Sequence, residues 1–370
     1  MHCDSDKVYL YRTPVEGEAA PFDQYRDLAR RALGQLDLEL PATGSVLINP
    51  NITISCDPDS RIITHPGFAA GIVEALIEKG VAAERLVVVE GHGGGDPEGW
   101  ARATGYEAAL APYGLRLVDL NVSEGVRVPV PGGVVFASLE FAREVTECAY
   151  YVNAPVAKCH NLIFTTLCMK NTQGTVKSPQ RHMCGVQQED EAFLEELGGL
   201  TPRGVSLHEE RFCHKQSDLI AARRILPAPR LCVVDGLIGR DGTGFREGTN
   251  RPLGWTLIGG NEVHVDTVGT YLMGLDPART PYLQVAAERG LGTCRIEGIE
   301  VVDLHRGRRL TGPELAAHRS DPVLMPLSQV NGGYVPRFLA DGTVVPWALD
   351  RVNEWRAKRG QEPLAVPVAA

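Results

Sequence analysis

No stretch of this 370-residue sequence stays apolar for the roughly 20 residues that a membrane-spanning helix needs. The N-terminus has no basic segment followed by an apolar one, so we expect no signal peptide and a cytoplasmic protein. Basic residues are also in deficit, with 37 Lys and Arg against 46 Asp and Glu. The resulting net charge of −9 argues against nucleic acid as the main partner.

The sequence also lacks the usual cofactor motifs. Its nine Cys are scattered, and none has the Cys-x-x-Cys-x-x-Cys spacing of ferredoxin-type clusters. The Gly-rich segments 91–99 and 239–248 match neither the P-loop nor the dinucleotide fingerprint. Use of ATP or a nicotinamide is therefore not indicated. The cofactor stays unknown, and a divalent metal ion is the open alternative.

Apolar strands and helices alternate along the chain from residue 45 onward. Residues 45–50 predict a strand, and residues 85–97 predict a buried strand that runs into a Gly-rich loop. Residues 64–80 predict a helix between them, capped by Thr64 or His65. This order predicts a β-α-β unit with parallel strands. Further strands are predicted within 114–121, 149–156, 230–244, 255–260 and, as the last strand, 295–304, and helices are predicted within 138–148, 206–226, 261–277 and 282–292.

The alternation predicts an α/β fold with a central, largely parallel sheet flanked by helices. No Pro-rich or Ser-rich linker divides the chain, so a single compact body is expected. We expect an N-terminal extension at 1–43, the α/β domain at 44–304 and a C-terminal tail at 305–370 that packs on the main body.

Polar residues follow the first two predicted strands. Asn49 and Asn51 end the first strand, and Glu90 and His92 end the second. Ligands of parallel sheets bind at the carboxyl ends of the strands, so these side chains are candidates for a site.

A second group of candidates lies within 157–185, where Lys, His and Cys are concentrated. Two ammonium groups and an amide would suit an anionic substrate, with Lys158, Lys170 and Asn171 binding its oxygens. His160 could transfer protons near neutral pH, and His182 could contact the substrate. The alternative is a solvated loop with structural histidines. The cysteines of this stretch are more typical of buried thiols than of nucleophiles or metal ligands.

Three Asp residues form an acidic group of candidates. Asp235 ends a buried strand, Asp241 lies in the Gly-rich loop after it, and Asp266 lies in the next predicted helix. These carboxylates could bind a divalent cation or orient a histidine. The alternative is that Asp235 and Asp241 only stabilise turns, as Asp-Gly pairs commonly do.

Six short motifs occur together in a fixed order. They are "NPN" (49–51), "THP" (64–66), "KCH" (158–160), "MKNTQG" (169–174) followed by His182, "VDGLIGRDGTGFREG" (234–248), and Asp266 in the following helix. Because these motifs occur in this order, the sequence resembles the DUF362 family, a domain of unknown function, over roughly residues 44–300. The resemblance implies that the Lys, His and Asn residues of 158–182 belong to a site. The sequence departs from the family at Asn49, where Lys is common, and in lacking the ferredoxin modules of many members.

A more distant likeness to lactate-racemase-type proteins lies in the first strand, the "THP" helix and "VVVEGHGGG". As an analogy it would imply proton or hydride transfer on a hydroxy acid.

These patterns favour an enzyme that acts on a small anionic or acyl substrate by hydrolytic or lyase-type chemistry. Lys158 and Lys170 would hold the anion, His160 or His65 would move protons, and Asp235 or Asp266 would orient a histidine or bind a metal. The substrate contacts are expected from Asn49, Asn51, Asn171, His182, Gly242 and Gly244. Two alternatives remain open at this point: an iron–sulfur or other metal redox protein, and a non-catalytic accessory protein of a biosynthetic pathway. The sequence predicts no oligomeric state.

Overall fold

The computed structural model describes residues 1–93, 99–178, 180–184 and 200–365. The strands in these ranges are β1 Val8–Arg12, β2 Val46–Pro50, β3 Leu86–Glu90, β4 Arg116–Asp119, β5 Gly125–Pro129, β6 Ser138–Ala142, β7 Tyr150–Ala154, β8 Val156–His160, β9 Phe164–Thr166, β10 Arg230–Arg240, β11 Asn250–Gly259, β12 Val301–Asp303, β13 Arg308–Arg309, β14 Leu327–Val330 and β15 Gly333–Pro336. The α-helices are α1 Phe22–Gly34, α2 Pro66–Glu78, α3 Trp100–Ala103, α4 Tyr106–Leu110, α5 Arg143–Glu147, α6 Cys168–Asn171, α7 Leu207–Arg224, α8 Glu262–Leu272, α9 Pro281–Glu288, α10 Gly312–Ala316 and α11 Leu349–Lys358.

One large mixed sheet organises the molecule, with the spatial order β13-β12-β1-β11-β10-β7-β2-β3-β4. The half from β10 to β4 is parallel throughout, whereas β11 runs antiparallel to both β10 and β1. Helices cover the sheet, and the fold is the α/β class that the sequence predicts. Among the described helices, none combines the length and the apolar character needed to cross a membrane.

The predicted β-α-β unit is confirmed. Strands β2 and β3 pair in parallel, and α2 connects them. His65 caps α2 because its Nδ1 accepts a hydrogen bond from the Gly67 amide at 3.0 Å. Pro66 occupies the first helical position, where an N–H group would have no acceptor within the helix, so the N–H that proline lacks costs no hydrogen bond.

Strand β10 changes its parallel partner halfway along its length. Its first residues pair with β7, and its last residues pair with β8. Pro155 separates β7 from β8 and cannot donate a ladder hydrogen bond. The displaced β8 then pairs with β9, which leads into α6. This arrangement carries Lys158 and His160 beyond the ends of the other parallel strands.

The N-terminal residues belong to the sheet and its core. Strand β1 lies between β12 and β11, which the sequence reasoning did not predict. Helix α1 shares a hydrophobic cluster with α2, to which Tyr25 and Leu28 of α1 and Ile72 of α2 contribute. Burial of this apolar face stabilises both helices.

Two sequence predictions of elements are wrong in detail. Residues 138–148, predicted as one helix, form strand β6 followed by the short helix α5. Leu139 and Phe141 are buried and Glu140 between them is exposed, so the period is two and favours a strand. Strand β12, within 295–304, was expected to be the last, but β13, β14 and β15 follow it.

The C-terminal residues contact the main body through a buried ion pair. Arg337 donates to the Glu209 carboxylate of α7 and to the Asn161 carbonyl, and both partners of the ion pair are fully buried. The Trp347 amide donates to the same carboxylate at 3.1 Å. The predicted division at 43 and 304 stays a prediction, although these contacts join the tail to the region beside α6.

Candidate functional site

A cavity of about 330 Å³, here called the main cavity, lies beyond the end of β8. Among the described residues, Lys158, Lys170 and Arg246 are the charged ones that line it, and His160 also lines it. The apolar part of its wall comes from Pro155, Leu162, Leu167, Phe245 and Trp347. Cations against an apolar wall are suited to an anionic ligand with a carbon skeleton.

Neutral oxygens hold the ammonium group of Lys158. Nζ donates to Asn51 Oδ1 at 2.7 Å, Thr53 Oγ1 at 3.3 Å and the Ile62 carbonyl at 2.5 Å. Burial, and secondarily the Lys170 charge, lowers the pKa of Lys158 to about 7. The acceptors favour the ammonium, but none of them is a carboxylate that could balance its charge. Lys158 can therefore exchange a proton close to neutral pH.

Lys170 is half-buried and has no hydrogen-bond or ion-pair partner among the described residues. It lies on α6, whose first turn is fixed by a buried carboxylate. Asp266 accepts hydrogen bonds from the amides of Cys168 at 2.7 Å and Met169 at 3.1 Å. Asp266 thereby positions the turn that carries Lys170, and the Lys170 ammonium is available to a ligand.

The hydrogen bonds of His160 fix its tautomer. Nδ1 accepts from the Leu162 amide at 3.0 Å and from the Ile163 amide at 3.4 Å, so Nδ1 carries no proton. Burial, followed by the charges of Lys170 and Lys158, holds the pKa of His160 well below its usual range. The ring is therefore neutral with its proton on Nε2, and it can donate a hydrogen bond to a ligand oxygen in the main cavity.

An amide network supports Asn171 under the cavity. Asn171 Nδ2 donates to the Asn49 carbonyl at 2.9 Å and to Asn153 Oδ1 at 2.8 Å. Asn49 itself is fully buried, donates to the Val89 carbonyl at 3.0 Å and accepts from the Tyr151 hydroxyl at 2.8 Å. Asn51 and Asn171 line the main cavity, whereas Asn49 joins neighbouring strands beneath it.

The two predicted glycines differ in their access to the cavity. Gly244 lines it with φ +93°, and a Cβ there would lie 2.7 Å from the Cys159 carbonyl oxygen. Only glycine permits this close approach of the loop to β8. The Gly242 amide is already bonded to the Met325 carbonyl at 2.9 Å, so it fixes the loop to the C-terminal segment.

A second cavity of about 260 Å³ adjoins the main one. The two share five lining residues, and Lys170 is the cation among them; the five are Asn51, Thr53, Lys170, Asn171 and Cys184. Glu90, Arg181 and His182 line the second cavity only. The predicted substrate contacts Asn51, Asn171 and His182 thus line two adjoining cavities.

Glu90 is the carboxyl group of the second cavity. Its oxygens accept from the Ile52 amide at 2.7 Å and from the Gly91 amide at 2.8 Å. Burial raises the pKa of Glu90 to about 8 against the effect of these bonds and of the Arg181 and Lys158 charges. Glu90 therefore holds a proton at neutral pH and adds no negative charge there.

His65 and Asp235 lie together in a different place, with Arg61. Arg61 Nη2 donates to Asp235 Oδ2 at 2.6 Å, and both side chains are fully buried. The same oxygen accepts from the His65 amide at 3.1 Å. The His65 ring stacks on Tyr25 at 3.9 Å, and burial lowers its pKa to about 3. We call Arg61, His65 and Asp235 the closed cluster, because none of them lines either cavity.

The three predicted metal ligands do not form a common group. Asp235 binds Arg61, Asp241 binds Arg251 at 3.1 Å and the Thr249 amide at 2.6 Å, and Asp266 binds the start of α6. Within residues 1–93, 99–178, 180–184 and 200–365, no three His, Cys, Asp or Glu side chains are grouped to hold a metal ion.

A family model for DUF362, a domain of unknown function, matches residues 46–271, which is more than half of the chain. The chain belongs to the DUF362 family. A curated relative, a thylakoid-associated protein of Synechocystis sp., is 22% identical over 252 residues, covering 68% of this chain and 70% of the relative.

Among the solved structures, the lactate racemase apoprotein from Thermoanaerobacterium thermosaccharolyticum is similar to this chain. It shares 14% identity with this DUF362 protein, and the TM-score is 0.39. The match covers 66% of the DUF362 chain and 54% of the racemase chain, about half of its length.

Several lining residues of this DUF362 protein escaped the sequence reasoning. Arg181 immediately precedes His182, in a stretch already marked by its basic residues, and that adjacency was the available signal. Gln329, Tyr334 and Trp347 come from the C-terminal segment, and their sequence carries no motif that points to a cavity.

Proposed function

We propose that this DUF362 protein is an enzyme that acts on a small anionic or acyl substrate bound in the main cavity. The observation that carries the proposal is Lys170. Its ammonium lines a partly apolar cavity without a partner among the described residues, beside the neutral His160 ring. A cation without a counter-charge in such a place is suited to bind a carboxylate or a polarised carbonyl.

Lys170, His160 and Lys158 have different roles in the proposed reaction because their chemical properties differ. Lys170 binds the anionic group, and His160 Nε2–H donates to a second oxygen of the substrate. Lys158 moves the proton, because its pKa of about 7 allows both protonation states near neutral pH. When Lys158 is neutral, it keeps two N–H groups for its neighbours and gains a lone pair that can accept a proton.

Proton abstraction next to a carbonyl, as in lyase-type reactions, uses all three groups in these roles. Hydrolysis is the other reaction class, with Lys158 taking a proton from the attacking water. A metal-assisted version would need ligands beyond those that the described part of the chain groups together.

The test is binding of small carboxylates, measured by isothermal titration calorimetry with acetate, propionate and butyrate. Lys170→Met should weaken binding at least tenfold. Lys7→Met is the matched control, because it removes the same charge from an exposed ion pair with Glu300. Equal affinities in wild type and Lys170→Met would overturn the proposal.

Turnover gives the second measurement once a carboxylate that reacts is found. Lys158→Ala, His160→Ala and Lys170→Ala should each reduce turnover more than they reduce stability. A non-catalytic accessory role would be supported if carboxylates bind through Lys170 and none is converted. The cytoplasmic location stays a prediction.

A further inference from the structure

The two adjoining cavities are lined by more positive charge than one carboxylate requires. Four cations line them: Lys158 and Arg246 in the main cavity, Arg181 in the second, and Lys170 in both. We call these four residues the cation group. Among the described residues, none of the four makes an ion pair with an Asp or Glu side chain.

The partners of the cation group are neutral. Lys158 donates to amide, hydroxyl and carbonyl oxygens, and Arg181 donates to the Val176 carbonyl at 2.7 Å and to Asn121 Oδ1. The Arg246 guanidinium lies 5.6 Å from the centre of the Phe245 ring. None of these hydrogen-bond partners carries a negative charge, although the net charge of the chain is −9, and the nearby carboxyl groups of Glu90 and Asp119 act on Arg181 without forming an ion pair with it among the described residues.

Arg181 is the cation that distinguishes the second cavity. Only 5% of Arg181 is exposed, and its Nη2 has no hydrogen-bond partner in the described part of the chain. Among the described residues that line this cavity, Glu90 has the one carboxyl group, and burial raises the pKa of Glu90 to about 8, which favours its uncharged form at neutral pH. A buried guanidinium with an unused donor favours an anionic ligand.

We propose that the two adjoining cavities bind a substrate with two acidic groups, one at Lys170 in the main cavity and the other at Arg181 in the second. The second group is a carboxylate or a phosphate, because both match the planar donor pattern of a guanidinium. This proposal rests on the proposed function and narrows its substrate class to elongated dianions.

The experiment compares linear dicarboxylates from malonate to adipate with monocarboxylates of the same carbon number, by calorimetry on the full chain. The best dicarboxylate should bind at least tenfold more tightly than its monocarboxylate, with an optimum in chain length that matches the distance between the subsites. Titration with 3-phosphonopropionate shows whether a phosphonate can replace the second carboxylate. If 3-phosphonopropionate or a dicarboxylate binds more tightly than propionate, the result supports the second subsite.

Arg181→Gln should abolish the tenfold advantage and leave monocarboxylate affinity unchanged. Arg246→Gln is the matched control, since it removes the same charge from the main cavity, and it should preserve the advantage. If Arg181→Gln fails to fold, the chain-length series in the wild type and Arg181→Lys still decide the question, because Lys keeps the charge and loses the planar fork.

Equal binding of the two acid classes would overturn the second subsite while leaving the proposed function intact. Loss of the advantage in Arg246→Gln rather than in Arg181→Gln would also overturn it. If no acid of either class binds in a Lys170-dependent way, the proposed function fails together with this inference.

Discussion

The closed cluster of Arg61, His65 and Asp235 and the cation group of the cavities both contain charged side chains, but their charges are paired differently. In the closed cluster, the Asp235 carboxylate meets the Arg61 guanidinium at 2.6 Å, and water reaches neither. In the cation group, Lys170 has no counter-charge among the described residues. The sequence placed members of both groups in one site, and the structure separates them.

Residue type alone therefore does not distinguish a charge that could bind a ligand from one that stabilises the fold. A buried ion pair that satisfies itself holds two segments together, and its removal exposes an unpaired charge to a low-dielectric interior. A cation that faces a cavity without a partner adds little to folding and can interact with a ligand. The following predictions test this contrast.

The largest expected effect is the loss of stability in Asp235→Ala. This change removes the carboxylate partner of the fully buried Arg61 guanidinium and should lower the free energy of unfolding by about 3–5 kcal/mol. Asp241→Ala is the control, because its partner Arg251 is partly exposed, and it should cost about 1 kcal/mol. Urea unfolding followed by circular dichroism measures both. Similar losses in the two variants would contradict the contrast.

The second prediction concerns Glu90 and pH. Its folded-state pKa of about 8 lies above the ordinary 4.5, so its stabilising contribution is complete below pH 4.5 and is lost as pH rises to 8. The slope is roughly 1.4 kcal/mol per pH unit at most within that window. Glu90→Gln should therefore gain stability relative to wild type as pH rises from 5 to 7, in urea unfolding at each pH.

Of the two charged groups near Glu90, only Lys158 titrates close to this range, because Arg181 keeps its charge. Lys158 has a pKa of about 7 and is half deprotonated at pH 7, so the measurement stops there. A difference between wild type and Glu90→Gln that does not change with pH would show that Glu90 is ionised in the folded protein.

The third prediction is that Lys170→Met raises the pKa of Lys158. Burial is the main cause that lowers this pKa and the Lys170 charge is the second, so the pKa should rise but remain below the ordinary 10.5. Nuclear magnetic resonance of lysine labelled at Cε with ¹³C would follow the titration. The variant should change the free energy of unfolding by less than about 1 kcal/mol. An unchanged Lys158 titration would show that the two ammonium groups do not interact.

The smallest expected effect is a spectroscopic one at His160. Its ring should stay neutral from pH 8 down to 5 with the proton on Nε2, because Nδ1 accepts two backbone hydrogen bonds. Nitrogen chemical shifts of ¹⁵N-labelled histidine report the tautomer directly. An imidazolium signal for His160 at pH 6 would remove its assigned role as a neutral donor.

The sequence predicted the parallel half of the sheet well, because its local signals and its final packing agree. Pro66 and His65 mark the start of α2, and two Val-rich and Ile-rich strands flank it. Strand β1 was missed because five residues with no capping or turn motif carry little local information. Its place between β12 and β11 depends on contacts with residues about 250 to 290 positions away.

The residues of the candidate site also include some that the sequence predicted and some that it did not. Lys158, His160 and Lys170 were expected together and line one cavity, although their roles stay predictions. Arg181, Tyr334 and Trp347 were not expected, because which residues close a cavity is decided by tertiary packing. The same limit applies to the closed cluster, since Arg61 pairs with a carboxylate 174 residues away.

The composite wall of the main cavity matters for how functions are transferred between relatives. The family match ends at residue 271, yet Gln329, Tyr334 and Trp347 complete the cavity from beyond that boundary. A match over this domain therefore covers Lys158, His160 and Lys170 and leaves out the part of the cavity wall that the C-terminal segment supplies. Two members can in this way share a reaction type and differ in the molecule they accept.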